Sequence, residues 1–229
     1  MPDDRPRIAV LISGRGSNLV ALWDATQRGE LDAEIALVIS SRADAPGLAW
    51  AMERQIPALP LNPRRYPSDD LYSEELCRFL DHHHIHLICL AGYLKQLPAA
   101  VVARYSGRIL NIHPALLPKY GGKGMYGHRV HEAVLAAGDV ETGPSVHVVT
   151  EHYDEGPVLA QERIRVLPED TPESLAARVL EAEHRLYPRV VQEFLRTGAS
   201  VKTPRIPGAQ GSRLGTGPSS SWRPGSTSR

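Results

Sequence analysis

The sequence predicts an α/β fold: a doubly wound, mostly parallel sheet with an antiparallel C-terminal extension and a long C-terminal helix. Three observations carry this. Continuous apolar runs recur through the first half, such as Ile8-Ala9-Val10-Leu11-Ile12, Ile35-Ala36-Leu37-Val38-Ile39 and Leu87-Ile88-Cys89-Leu90-Ala91, and such runs mark strands buried on both faces. Helical patterns separate them, the alternation that builds a parallel sheet. Later, residues 142–150 alternate like a strand, residues 158–166 follow after a turn, and a long helical pattern opens at Thr171.

The first strand, over 7–12, ends in Ser13-Gly14-Arg15-Gly16-Ser17-Asn18, and a helix begins at Leu19. Strand, glycine-rich turn and helix N-terminus together make an anion site, because backbone N–H groups and the helix dipole both favour phosphate. The loop is neither GxGxxG nor a P-loop, so it points to a small phosphate monoester. The alternative is that Ser17 caps the helix with no ligand.

A second strand at 34–40 leads to a helix over 47–54 and a short strand near 58–60. Residues 69–81 are expected to be helical, with Leu71, Leu76, Phe79 and Leu80 inward. His82-His83-His84-Ile85-His86 then precedes the strand at 87–91. Histidines suit the negative end of a helix, and no acidic or Cys partner stands at ligand spacing, so no metal is expected. Residues 92–98 form a loop at that strand's carboxyl end, and a short helix runs to about Tyr105.

The next segment is Ile109-Leu110-Asn111-Ile112-His113-Pro114. Side chains on a strand alternate faces, so Asn111 and His113 project to the same side. Two readings fit them. They could satisfy backbone groups in a turn, or an amide beside an imidazole could stabilise an oxyanion and manage a proton. Ligands of doubly wound sheets bind outside the carboxyl ends of the strands. The glycine loop, the 92–97 loop and Asn111/His113 all belong to that edge, which favours the chemical reading.

Residues 119–127 are glycine-rich, a lid, a rim or a plain surface loop. A helix over 128–137 ends at Gly138. The turn at 151–157 contains Asp154, either a turn-forming Asx residue or a carboxylate partner for an imidazole. The last helix starts with an N-cap Thr171, Pro172 and Glu173. Its inward stripe is Leu175, Val179, Ala182, Leu186, Val190, Val191 and Phe194, and Tyr187-Pro188 is expected to kink it. Glu183 lies off this stripe, so it faces either solvent or an amine ligand.

The chain of 229 residues has zero formal net charge. Residues 203–229 carry Arg205, Arg213, Arg223 and Arg229 but no acid, which leaves a mildly acidic body. Such a body does not suit nucleic acid, whereas small anionic ligands remain compatible. That segment holds little to bury, so residues 1–202 are expected to form the domain and 203–229 a disordered tail. No apolar run approaches the roughly 20 residues needed to span a bilayer. The acidic start Met1-Pro2-Asp3-Asp4 is unlike a signal peptide. Cys77 and Cys89 lack CxxC spacing and read as reduced thiols of a cytoplasmic protein.

Taken together, these motifs resemble the folate-dependent glycinamide ribonucleotide formyltransferases of purine biosynthesis. The resemblance covers roughly residues 7–195. It rests on Ser13-Gly14-x-Gly16-Ser17-Asn18, Leu90-Ala91-Gly92-Tyr93, Asn111-Ile112-His113-Pro114 with Leu116-Leu117-Pro118, Ser145-Val146-His147, Asp154-x-Gly156-Pro157, and Glu183-His184 before Tyr187-Pro188. Each motif alone is weak, and their shared order and spacing make the match specific.

The resemblance implies a Rossmann-like formyltransferase fold and transfer of the formyl group of 10-formyltetrahydrofolate to the amine of glycinamide ribonucleotide, without a metal. It implies that Gly16, Ser17 and Asn18 hold the phosphate and that Glu183 contacts the glycinamide end. It also implies that Leu94, Lys95, Gln96 and Leu97, with Asn111, line the folate site. Asn111, His113 and Asp154 match the catalytic triad: Asn111 and protonated His113 would donate to the oxyanion, and Asp154 would keep His113 cationic. No nucleic acid or membrane is implied, and either a monomer or a homodimer is compatible.

Two departures stand out. Asp69 occupies a position where many members have an arginine, with Arg64 and Arg65 just upstream, and the 121–127 loop is longer than in the shortest relatives. Formyltetrahydrofolate hydrolases add an N-terminal domain, for which no room is expected before Arg7. Methionyl-tRNA formyltransferases add a C-terminal RNA-binding domain, for which the tail is too short. A catalytically idle phosphate-binding module on the same scaffold would not need Asn111, His113 and Asp154 together.

Overall fold

A computed structural model describes residues 5–198. The boundary expected at 202 and the tail expected at 203–229 lie outside the described residues.

The strands are β1 (Arg7–Ile12), β2 (Glu34–Ser40), β3 (Ala58–Pro60), β4 (Leu87–Leu90), β5 (Ile109–His113), β6 (Glu141–Thr142), β7 (Ser145–Val148), β8 (Val158–Gln161) and β9 (Ile164–Arg165). Seven of them form one sheet in the order β3-β2-β1-β4-β5-β7-β8. β1 to β5 pair in parallel, β7 runs antiparallel to β5, and β8 antiparallel to β7. The expected antiparallel extension therefore continues the main sheet. The single strand expected over 158–166 divides in two, because residues 164–165 leave the sheet to pair with β6.

The helices are α1 (Ser17–Gln27), α2 (Pro46–Glu53), α3 (Asp69–His82), α4 (Ala99–Arg104), α5 (His128–Ala136) and α6 (Pro172–Thr197). Strand alternation divides the core between two faces. Ile8, Val10 and Ile12 join Leu19 and Leu22 of α1 and Leu186, Val190 and Val191 of α6. Ala9 and Leu11 join Tyr72, Leu76 and Leu80 of α3 and Val101 and Val102 of α4. Burial on both faces explains the unbroken apolar runs.

In α3 the inward face is turned from the one expected. Leu71 is 46% exposed, whereas Tyr72 is fully buried. Tyr72 can enter the core because its hydroxyl meets that of Tyr93 at 2.7 Å, which satisfies both polar groups. The histidine run has structural partners. His86 Nδ1 accepts from the Arg7 backbone N–H at 3.1 Å, and the His83 carbonyl accepts from Arg7 Nε at 2.7 Å. Among the described residues, no group of three or more His, Cys, Asp or Glu is placed to hold a metal ion. None of their helices is long and apolar enough to cross a membrane.

Helix α6 begins with a capping box between Thr171 and Ser174 and buries its whole expected stripe. It stays helical through Pro188. Its Tyr187 hydroxyl lies 3.1 Å from the Leu90 carbonyl and 3.0 Å from the Leu110 carbonyl. That hydroxyl fastens α6 to two adjacent strands, β4 and β5.

Candidate active site

The strand order reverses between β1 and β4, and β5 lies beside β4. The carboxyl ends of β1, β4 and β5 therefore border one crevice, the usual ligand position in such sheets. At β1, the glycine loop delivers the chain into α1. Gly16 is the N-cap, in a left-handed conformation, and no side chain caps the helix. Ser17 is thus the first helical residue and not the cap. The N–H groups of the first turn have no partner within the helix and lie at the carboxyl end of β1, on the border of the crevice.

A close backbone approach supports this loop. The Gly47 N–H donates to the Gly14 carbonyl at 3.1 Å. A Cβ at Gly47 would lie 3.0 Å from the Arg15 carbonyl oxygen and 3.1 Å from that of Gly14. Ser13 connects the loop to its neighbours: its Oγ lies 2.7 Å from Ser41 Oγ and accepts from the Leu94 N–H at 2.8 Å.

Asn18 contributes to the loop through its backbone. Its side chain is buried and turns to α6, where Nδ2 donates to Glu183 Oε2 at 2.6 Å. Its Oδ1 is buried without a protein partner. Glu183 is 8% exposed, so it faces inward beside the apolar stripe and is not solvated. Burial pushes its carboxyl up to about 7, and the Asn18 amide opposes this only in part. A buried acid poised there can exchange a proton near neutral pH.

Around the 92–97 loop, Leu94 is 52% exposed and Leu97 is 5% exposed, packed among Val101 and Val102. Leu97 therefore forms the floor under the loop, and Leu94 is its open apolar face. Lys95 is half-buried and Gln96 is exposed. Gln96 Nε2 donates to the Glu151 carbonyl at 3.3 Å, which ties this loop to the turn that carries Asp154. Arg64 and Arg65 are exposed in a short 3-10 turn, and Asp69 opens α3 behind its Ser68 cap.

On β5, Asn111 and His113 share one face, as expected. Antiparallel β7 sets His147 opposite Asn111 and Ser145 opposite His113. His147 Nε2 lies 3.0 Å from Asn111 Nδ2 and 3.4 Å from Asp154 Oδ1. His147 Nδ1 faces the Val148 carbonyl at 3.1 Å. With the proton on Nδ1, Nε2 accepts from the Asn111 amide and fixes that amide's orientation. Ser145 serves the turn after β5: its Oγ donates to the Ala115 carbonyl at 2.6 Å and accepts from the Leu117 N–H at 3.0 Å.

Asp154 arrives from a turn in which it has φ 55°. Such a left-handed conformation is uncommon for any residue with a Cβ, and Asp tolerates it better than most. Gly156 permits the turn, because a Cβ there would lie 1.7 Å from the Val148 carbonyl oxygen. The carboxylate accepts from the Gly122 N–H at 2.9 Å, and its Oδ2 stands 3.6 Å from His113 Nδ1. That distance is an ion-pair approach and exceeds a hydrogen bond. Burial raises the Asp154 carboxyl, but the His147 contact, His113 and the Gly122 amide together hold it below the usual range.

His113 is almost fully buried, and its Nε2 faces the Tyr120 carbonyl at 2.8 Å. Burial lowers its pKa, and Asp154 and that carbonyl recover only part of the loss. Burial therefore favours the neutral imidazole in the unliganded site, where the resemblance implied a cation. Nε2–H donates to Tyr120, and the Nδ1 lone pair is left facing Asp154. Such a ring can accept a proton at Nδ1, and a carboxylate then stands ready to pair with it.

Sequence reasoning assigned no role to His147, although its period-two spacing from Ser145 was visible. The Tyr120 carbonyl and the Gly122 N–H left no signal, since main-chain groups carry no residue type. A groove of about 930 Å³ between α6 and β8, lined by Leu159, Pro188 and Phe194, contains none of these candidate residues.

Residues 6–191 match the formyl transferase family. The chain is 44% identical to a chloroplastic phosphoribosylglycinamide formyltransferase of Arabidopsis thaliana, covering 82% of this chain and 64% of that protein. It is 40% identical to the phosphoribosylglycinamide formyltransferase of Haemophilus influenzae, covering 82% of this chain and 86% of that protein. A crystallised phosphoribosylglycinamide formyltransferase of Coxiella burnetii superposes with a TM-score of 0.78 at 45% identity, covering 85% of this chain and 89% of that one. The chain thus spans just under two thirds of the plant relative's length and most of the bacterial ones. It belongs to the formyl transferase family.

Proposed function

We propose that this protein transfers the formyl group of 10-formyltetrahydrofolate to the amine of glycinamide ribonucleotide, with Asn111, His113 and Asp154 as its catalytic groups. The observation that supports this most is the meeting of an amide, a neutral imidazole and a carboxylate at one carboxyl edge. That edge also carries an uncapped helix start on one side and an exposed leucine loop on the other. Residues 1–202 are the formyltransferase domain in this reading, and 203–229 a tail outside it. Reduced Cys77 and Cys89 suit a cytoplasmic setting.

The Gly16, Ser17 and Asn18 backbone N–H groups hold the ribonucleotide phosphate at the positive end of α1. Glu183 takes the glycinamide end, and the unpartnered Asn18 Oδ1 accepts from a ligand donor beside it. Leu94 to Leu97 hold the folate ring, with Leu94 as its apolar contact.

The substrate amine attacks the formyl carbon, and negative charge develops on the formyl oxygen while the attacking nitrogen becomes positive. An N–H of Asn111 stabilises the oxygen, its orientation fixed by His147. His113 Nδ1 takes the proton from the attacking nitrogen, directly or through water. The resulting imidazolium lies between two acceptors, the Tyr120 carbonyl and the Asp154 carboxylate. The same proton then passes to the folate nitrogen as its bond to carbon breaks, which releases tetrahydrofolate. These steps conserve protons and need no metal.

The test is an absorbance assay of purified protein with 10-formyltetrahydrofolate, with and without glycinamide ribonucleotide. Tetrahydrofolate formation that requires the ribonucleotide is the expected result. Deformylation that proceeds equally without it would assign the chain to folate hydrolysis instead. His113→Ala is expected to lower turnover by roughly 100-fold or more with the fold intact by circular dichroism.

A further inference from the structure

The group facing His113 Nε2 is a main-chain carbonyl, and it belongs to a residue with unusual support. Tyr120 has φ 57°, a left-handed conformation that a residue with a Cβ rarely adopts. Two side chains hold it there from outside the crevice. The Tyr120 hydroxyl donates to Asp139 Oδ2 at 2.8 Å. Lys119 Nζ donates to both Asp139 oxygens, at 2.6 and 2.7 Å. The same ammonium lies 5.3 Å from the centre of the Tyr120 ring. Asp139 lies three residues past the end of α5 and its N–H donates to the Val134 carbonyl at 3.3 Å, so the clamp is tied to that helix end and not to the loop it holds.

We propose that Asp139, Lys119 and the Tyr120 hydroxyl form a positioning device that aims the Tyr120 carbonyl at His113 Nε2 and so selects the tautomer with a free Nδ1. This rests on His113 being the proton carrier. A carbonyl can only accept, so its 2.8 Å approach to Nε2 requires a proton there, and a neutral imidazole has only one. The Nδ1 lone pair is thereby turned to Asp154 and the crevice. If the Tyr120 peptide rotated away, the proton could move to Nδ1 and bond Asp154, and the ring would have no lone pair on that side. None of the three clamp groups touches the crevice chemistry itself. The charged or titratable groups acting on His113 are Asp154 from the 151–157 turn, His147 from β7 and His131 from α5.

The experiment combines nitrogen NMR of the His113 ring with rate–pH profiles on three full-length proteins: wild type, Asp139→Asn and Tyr120→Phe. Tyr120→Phe removes one oxygen and keeps the ring, so it reports even where Asp139→Asn folds poorly. Neutral His113 is expected as the Nε2–H tautomer in wild type and as a mixture with Nδ1–H in both variants. Turnover is expected to fall on the order of tenfold, the acid limb of the profile to shift, and both KM values to stay within about threefold. An unchanged Nε2–H tautomer in the variants, whether turnover falls or not, overturns the proposal. A shifted tautomer in a protein with no formyl transfer leaves the clamp standing and refutes the catalytic reading.

Discussion

The two ends of the crevice are built by different means. At the β1 end, a short contiguous stretch, Ser13 to Asn18, presents main-chain N–H groups, and Gly47 backs it at van der Waals contact. At the β5 end, four separated segments meet: β5 with Asn111 and His113, β7 with His147, the 119–122 stretch with a carbonyl and an N–H, and the 151–157 turn with Asp154. In the proposed function the β1 end binds by shape and dipole, with little room for added atoms behind it. In the same proposal the β5 end works by proton placement and depends on distances such as the 3.6 Å between His113 and Asp154. The first should fail in affinity, the second in turnover.

The largest effect expected is at the β5 end. Asp154→Asn removes the charge that pairs with protonated His113 while keeping an acceptor for the Gly122 N–H. Turnover should fall by about 1000-fold with KM for the ribonucleotide little changed. A rise in KM with turnover preserved would place Asp154 in binding and erase the distinction between the ends.

The ends also differ in the sign of their pH dependence. Glu183 titrates at about 7 in the folded protein against 4.5 ordinarily. The folded state therefore keeps a proton that the unfolded chain has released. Its stabilising contribution is full below pH 4.5 and disappears as pH rises through about 7. At the β5 end His113 is lowered from 6.5, chiefly by burial, so its contribution is present above pH 6.5 and is lost as pH falls below that; His131 of α5, pushed down to about 4, has the same sign. Glu183→Gln should remove the alkaline loss, about 3 kcal/mol at most. Denaturant unfolding at pH 5 and pH 8 checks this, and a parallel loss in the variant would contradict a buried protonated acid.

Gly47→Ala is the matching test at the β1 end. Crowding of the Arg15 and Gly14 carbonyls should raise KM for the ribonucleotide and cost roughly 1–3 kcal/mol of stability. Its turnover and pH profile should match wild type. The smallest effect belongs to the tie between regions: Gln96→Ala loses a 3.3 Å hydrogen bond to the Glu151 carbonyl. About twofold to fivefold in KM for the folate is expected from an exposed bond of that length, and steady-state kinetics with varied folate measures it.

The same contrast decides what could be read in advance. The β1 end is local, so adjacent residues already display strand, glycine turn and helix start. The sheet was legible because strands buried on both faces leave unbroken apolar runs. Misreadings arose where a polar group is buried with a partner from far away in the chain. Tyr72 displaced Leu71 from the inner face of α3 because Tyr93 receives its hydroxyl. Glu183 was set off the apolar stripe of α6 because its partner, Asn18, is on the first helix. Asp154 could be given one role over the other only through the resemblance to a family, since a carboxylate in a turn has many ordinary uses. The neutral state of His113 depends on how deeply it is buried, which no motif records.

One bond makes the two ends of the described chain interdependent. Asn18 and Glu183 are 165 residues apart. A domain folds as a unit, so the first helix and the last depend on each other. A chain cut before α6 would leave the Asn18 amide without its acceptor and the Leu90 and Leu110 carbonyls without the Tyr187 hydroxyl. In the proposed function it would keep the loop that takes the phosphate and lose the acid that takes the amine.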